Sequence, residues 1–175
     1  GEDTASGPTS SLIFDPMAPG PFEVGYREQS HIYPLPAPLN GDRVIVLHFW
    51  YPTEVPNDDA PLYVDFWPDE DASVDAPAAA PIDSAGYPVM VYSHGDVGFG
   101  ADSAFQMRHF ASHGWLAVGI DHIGNVRYDN AEGETVEIFA KRALDVSAAL
   151  DVIGALPDED MLSQANTGEV LSTGH

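Results

Sequence analysis

A chain of 175 residues, 44% hydrophobic and 19% charged, suits one globular domain with a core of its own. Six Lys and Arg against 28 Asp and Glu give a formal net charge of −22, which argues against nucleic acid and against an anionic membrane surface, both of which need a basic footprint. No apolar run approaches the ~20 residues of a membrane span, and the absence of cysteine removes disulfides and thiolate metal sites. So much acid reads as a soluble, self-repelling surface, or more sharply as adaptation to high salt.

Residues 1–20 read as a flexible lead-in, with Leu12, Ile13 and Phe14 its only docking groups. Its start, GEDTASGPTSS, is polar and low in complexity, as is a stretch behind a removed export signal, so a secreted or periplasmic location is expected. Residues 22–33 alternate loosely and read as a strand. Asn40-Gly41 is a hairpin-type turn signal, and 43–51 (RVIVLHFWY) is the most apolar strand, stopped by Pro52. An antiparallel pair is the simplest arrangement of the two. Residues 54–87 are loop-rich, with a short edge strand expected at 62–67. The carboxylates between Asp58 and Asp75 lack the order and the sixth-position glycine of an EF-hand. They read as a solvated acidic loop, with a cation-binding module as the weaker alternative.

Residues 88–124 organise the rest. An apolar run at 88–92 is the right length for a buried strand. The stretch 93–100 (SHGDVGFG) then breaks the pattern, and Ser103 with Gln106 has capping-box spacing. Ala104, Met107, Phe110 and Ala111 form one apolar face of a helix over 104–113, and Gly114 sits where a left-handed terminal residue is wanted. A second strand follows at 116–120. Strand, helix and strand make a βαβ unit with parallel neighbours, and both polar turns, 94–100 and 121–125, fall at the carboxyl edge, where such sheets bind ligands. A long helix is expected over 134–156, with Phe139, Ala143, Val146, Leu150 and Ile153 as its buried stripe and Pro157 as its stop. Arg142 and Asp145, three apart on it, read as an ion pair. Residues 169–173 read as a third parallel strand, ending in Gly174-His175.

The order of elements is that of the opening half of an α/β-hydrolase sheet, whose next feature is a G-x-S-x-G nucleophile elbow. Gly174 and His175 supply its first two letters. Four stretches carry a more specific likeness: Gly20-Pro21-Phe22-Glu23-Val24-Gly25, Arg43 through Trp50-Tyr51-Pro52, Pro88 through Ser93-His94-Gly95, and Arg142-Ala143-Leu144-Asp145. In this order they resemble the platelet-activating-factor acetylhydrolase and predicted dienelactone hydrolase group of α/β-hydrolases. The resemblance implies an α/β-hydrolase fold with a mostly parallel sheet, an antiparallel start and crossover helices. It also implies that 21–175 is the N-terminal part of one domain, completed by sequence after 175.

The activity it implies is that of a serine hydrolase cleaving carboxylic esters, whether short acyl, lipid or polyester, without a cofactor. The nucleophile is expected immediately after His175, with the triad acid and base later in a C-terminal segment of the same protein. The backbone N–H of Asp96 is one implied oxyanion donor, and such a donor contributes ~3–4 kcal/mol. The charge of the Asp96 side chain opposes an oxyanion, so that side chain is expected to point away or to be tied up by neighbouring N–H groups. A plain tight turn is the alternative reading of 94–100. His94, Gly95, Val97, His122 and His175 are expected to line the pocket. His31 and His48 read as packing or surface residues. His109 and His113 lack a third ligand, so no metal is expected. The competing class is a non-catalytic binding protein on the same fold.

Overall fold

A computed structural model describes residues 15–133 and 135–174. The two long strands form as the alternation requires: β1 (Glu23–Pro34) and β2 (Asp42–Thr53) pair antiparallel, with Gly25 opposite Tyr51 and Tyr33 opposite Arg43. β2 is apolar on both faces because it runs through the middle of the sheet. Ile45, Leu47, Phe49 and Tyr51 face one layer, Trp50 faces the other, and all are fully buried.

The expected edge strand at 62–67 is instead a small hairpin of β3 (Leu62–Tyr63) and β4 (Trp67–Pro68). Val64 and Asp65 both have positive φ, the mark of a type I′ turn, and this reverses the chain where a single strand was expected. Nor is the acidic loop all solvated. Asp69 is buried, accepting bonds from Tyr63 Oη at 2.7 Å and Arg108 Nη1 at 2.5 Å. A two-residue strand β5 (Ser73–Val74), which pairs with β1, carries no sequence signal.

β6 (Tyr87–Ser93), α1 (Ala104–Ser112) and β7 (Leu116–His122) make the expected βαβ unit, with β6 and β7 parallel. β8 (Ala165–Gly174) lies parallel on the other side of β6 and is longer than expected. The sheet order is β5-β1-β2-β7-β6-β8. α1 buries Ala104, Met107 and Ala111, as its periodicity requires. Ser103 makes no side-chain cap, so the capping-box expectation fails; Gln106 N–H bonds the Ser103 carbonyl instead. The helix ends with Gly114 at φ +90, its N–H bonding Ala111 O and Trp115 N–H bonding Phe110 O, a Schellman closure.

α2 (Val136–Gly154) is shorter than the expected 134–156, with Glu134 outside the described residues. The Thr135 side chain caps it by accepting from Ile138 N at 3.1 Å. Its buried face is rotated from the expected stripe. Ile138, Asp145, Ala148, Ala149 and Ile153 are buried, while Phe139 is 57% exposed and Ala143 is exposed. The reason is polar: Asp145 enters the core, and the helix turns to put it there.

Gly119 of β7 lies so close to the loop before α1 that a Cβ there would stand 2.1 Å from Gly100 O. Backbone cannot yield as a side chain does. Gly119→Ala is therefore expected to destabilise the fold by about 2 kcal/mol or more, read as a lower urea midpoint at unchanged slope.

Candidate active site

Four strands and one helix deliver polar side chains to the carboxyl edge of the parallel strands. Asp145, fully buried on α2, is the hub. Arg43 meets it twice, Nε–Oδ1 at 3.0 Å and Nη2–Oδ2 at 2.8 Å. Tyr33 donates to it at 2.5 Å, and His122 Nδ1 lies 2.8 Å from Oδ2. His122 Nε2 is in turn 2.9 Å from Ser93 Oγ at the end of β6. Arg142 does not pair directly with Asp145 as expected. It reaches across to Asn125 Oδ1 at 3.0 Å, to Ser93 Oγ at 3.2 Å and to the His94 carbonyl.

Above this hub runs the loop 94–100. Gly98 N–H bonds Gly95 O at 3.3 Å, and Val97 has φ +54, so residues 95–98 form a turn of type II pattern with a β-branched residue where glycine is preferred. That backbone is strained by about 1 kcal/mol or more and persists because its surroundings hold it. Arg127 N–H bonds Gly98 O at 3.0 Å, and Asn125 Nδ2 donates to Asp96 Oδ1 at 2.8 Å. The second polar turn therefore grips the first.

No family model matches the chain, and no curated protein matches it in sequence. Solved structures do. A ferulic acid esterase from Streptomyces cinnamoneus superposes with a TM-score of 0.65 at 18% identity, over 90% of this chain and 54% of that one. The chain has the α/β-hydrolase fold. An acetyl xylan esterase from Paenibacillus sp. R4 aligns over 85% of this chain and 46% of its own, at 17% identity and a TM-score of 0.42. The chain thus spans about half the length of these two structures.

Loop 94–100 follows β6, and β8 ends beside it, with Gly174 in register with Ser93. Asp96 is exposed, its carboxylate is held by Asn125, and its backbone N–H finds no acceptor among the described residues. Gly95 is buried and Val97 half-buried within the turn. His94 and His122, expected to line a pocket, are both fully buried, with ring centroids 4.8 Å apart. They build the loop from beneath. His122 N–H donates to His94 Nε2 at 3.3 Å, so the His94 proton sits on Nδ1 and is given to Gly95 O at 2.6 Å. His175 lies outside the described residues. His48, read as packing or surface, is buried between Tyr26 and Asp121. The rings of His109 and His113 meet at a tilt with centroids 4.6 Å apart, and among the described residues no three metal-binding groups converge. A cavity of about 450 Å³ opens just past the loop beside Ala101 and Asp102, walled by Tyr63, Trp67 and Phe105.

Ser93, His122 and Asp145 have the connectivity of a catalytic triad, and their electrostatics oppose that use. Burial lowers the His122 pKa, the Arg142 and Arg43 charges lower it further, and Asp145 only partly offsets them. Neutral His122 donates from Nδ1 to the carboxylate and accepts the Ser93 hydroxyl proton at Nε2. Taking up a further proton would add a cation beside two guanidinium groups. His122 and Arg142 together hold the Ser93 hydroxyl in place. Burial alone raises the Asp145 pKa, but hydrogen bonds from His122, Arg43 and Tyr33 and the Arg43 charge outweigh it and hold the carboxyl below its usual range.

Two outcomes follow from this chemistry. Arg43→Met leaves Asp145 buried with too little compensation and is expected to cost about 3–5 kcal/mol in urea denaturation. Burial, chiefly, takes the His94 pKa down to about 4 from 6.5. Stability from this depressed group is complete above pH 6.5 and is lost as pH falls toward 4, by about 3 kcal/mol in all. Denaturation curves between pH 7 and pH 4 are expected to show that slope, and a shallower one in His94→Gln.

Proposed function

We propose that the protein is a serine-type carboxylic ester hydrolase in which Asp96 N–H is an oxyanion donor and β8 runs into a nucleophile elbow begun by Gly174 and His175. The observation that carries the reading is the position of that N–H. It has no acceptor among the described residues, on a turn held from both sides at the end of β6. Gly174 pairs in register with Ser93 beside it, and a Cβ on Gly174 would stand 2.2 Å from Ser93 O. Such close approach is what the first glycine of an elbow permits.

In this reading the elbow serine attacks the ester carbonyl, and the charge that develops on the carbonyl oxygen is met by the Asp96 N–H and by the N–H after the serine. A histidine later in the chain takes the serine proton and returns it to the leaving alcohol, oriented by an acid that also lies later. The superposition on a ferulic acid esterase supports the class through the fold, and the four sequence stretches support the acetylhydrolase and dienelactone hydrolase group within it.

The test uses the full-length protein and p-nitrophenyl acetate. Asp96 occupies the second position of the 95–98 turn, where proline fits sterically; Asp96→Pro removes the N–H together with the carboxylate that Asn125 holds, and Asp96→Ala, which loses the carboxylate alone, is its control. Asp96→Pro is expected to lower kcat by about 10²–10³, while Asp96→Asn stays within about twofold of wild type. A fluorophosphonate probe is expected to label the serine after His175 and to leave Ser93 unlabelled. A wild type without esterase activity and without labelling would favour a binding protein on this fold.

A further inference from the structure

The loop that carries Asp96 ends at Gly100, and the group that receives it there is Asp121. We propose that Asp121 is a positioning residue, anchoring Gly100 and so aiming the Asp96 N–H. The proposal rests on the oxyanion reading of residues 94–100.

Asp121 lies in β7 on the face opposite Asp145, with its side chain 4% exposed. Its Oδ1 accepts the Gly100 N–H at 2.5 Å. Its Oδ2 accepts His48 Nε2–H at 3.1 Å and the Tyr128 hydroxyl at 2.5 Å. Three donors from three segments thus converge on one buried carboxylate. Burial alone would raise its pKa, but the hydrogen bond and charge of His48, with the bonds from Tyr128 and Gly100, bring it below the usual range. The Gly100 contact is therefore a charge-assisted bond, stronger than an ordinary backbone one.

The fit around Gly100 is close. A Cβ on Gly100 would stand 2.6 Å from His48 Cδ2, and one on Gly119 would stand 2.1 Å from Gly100 O. Gly100 thus lies against the backbone of β7, and the Asp121 bond ties it there. Tyr128, which steadies Asp121, directly follows Arg127, whose N–H holds Gly98 O. One short turn thus secures the far half of the loop, while His94 secures the near end.

Between these fixed ends sits Val97 in its left-handed conformation. A strained residue of this kind relaxes when one end is freed. Loss of Asp121 frees Gly100 and, through Tyr128, loosens the Arg127 hold on Gly98, so Val97 leaves that region and the adjacent Asp96 N–H loses its direction. Asp121, His48 and Tyr128 share the wall of a cavity of about 260 Å³, so water reaches the site and a truncated side chain there does not leave a dry void.

The test uses the full-length protein with Asp121→Ala, Asp121→Asn and Tyr128→Phe, reading amide hydrogen exchange at Gly100 alongside kcat and KM on p-nitrophenyl acetate. Asp121→Ala is expected to speed Gly100 exchange by about tenfold or more and to lower kcat by about 10–100-fold with KM within about twofold. Asp121→Asn keeps an acceptor for Gly100 and is expected to recover most of both losses, which a merely structural lesion would not show. Tyr128→Phe falls between wild type and Asp121→Ala and serves if the alanine variant does not fold. Wild-type exchange at Gly100 in these variants overturns the anchor. Faster exchange with unchanged kcat overturns its positioning role. A wild type inert on esters overturns the esterase reading and the positioning role together, while the exchange measurement still reports whether the anchor itself is real.

Discussion

The buried carboxylate of Asp145 is the constraint on which the carboxyl edge depends. A charge with no exposed surface costs several kcal/mol unless its lone pairs are met. Here they are met by Arg43, Tyr33 and His122, from β2, β1 and β7. Those donors come from three strands, so the carboxylate is satisfied only when the sheet and α2 are both assembled. The network couples correct assembly of the edge to the removal of an otherwise unpaid buried charge.

From that hub, order passes to the loop by contact. His122 fixes Ser93 and, through its N–H, His94; Arg142 holds Ser93 and the His94 carbonyl; Asn125 joins Arg142 to Asp96. Cations are scarce in a chain with six Lys and Arg, and five of them are committed to specific partners: Arg27, Arg43, Arg108, Lys141 and Arg142. The charge excess is therefore borne by acid on the surface, while the interior of the edge is close to balanced. The backbone of loop 94–100 on such an edge has a rigid frame.

The main departure from the sequence reading is the phase of α2. Phe139, Ala143, Val146, Leu150 and Ile153 are a regular apolar series, yet the helix buries Ile138, Asp145, Ala149 and Ile153. These too have helical spacing, and Arg142 lies on the same side. An apolar count favours the first series because it treats Arg and Asp as solvent-seeking, and the burial of Asp145 against Arg43 of β2 reverses that rule. The strands carried the same clue. Arg43 is in phase with Ile45, Leu47 and Phe49; His122 with Leu116, Val118 and Ile120; Ser93 with Tyr87, Val89 and Val91. Period-two alternation already put all three polar groups on the face that α2 covers.

By itself, the sequence determined the order of the long strands and the two helices, the parallel placement of β6, β7 and β8, and the location of both polar turns at one edge. Those features follow from local periodicity, from turn residues and from the limited ways a βαβ unit can connect. Only the tertiary structure decided which polar residues meet: that His94 and His122 support the loop from below, that Asp145 gathers Arg43 and Tyr33, and that Asp121 receives Gly100. Such meetings join residues on average far apart in the chain. They depend on strand register and helix rotation, and both are settled by packing and by the need to satisfy buried charge rather than by any local pattern.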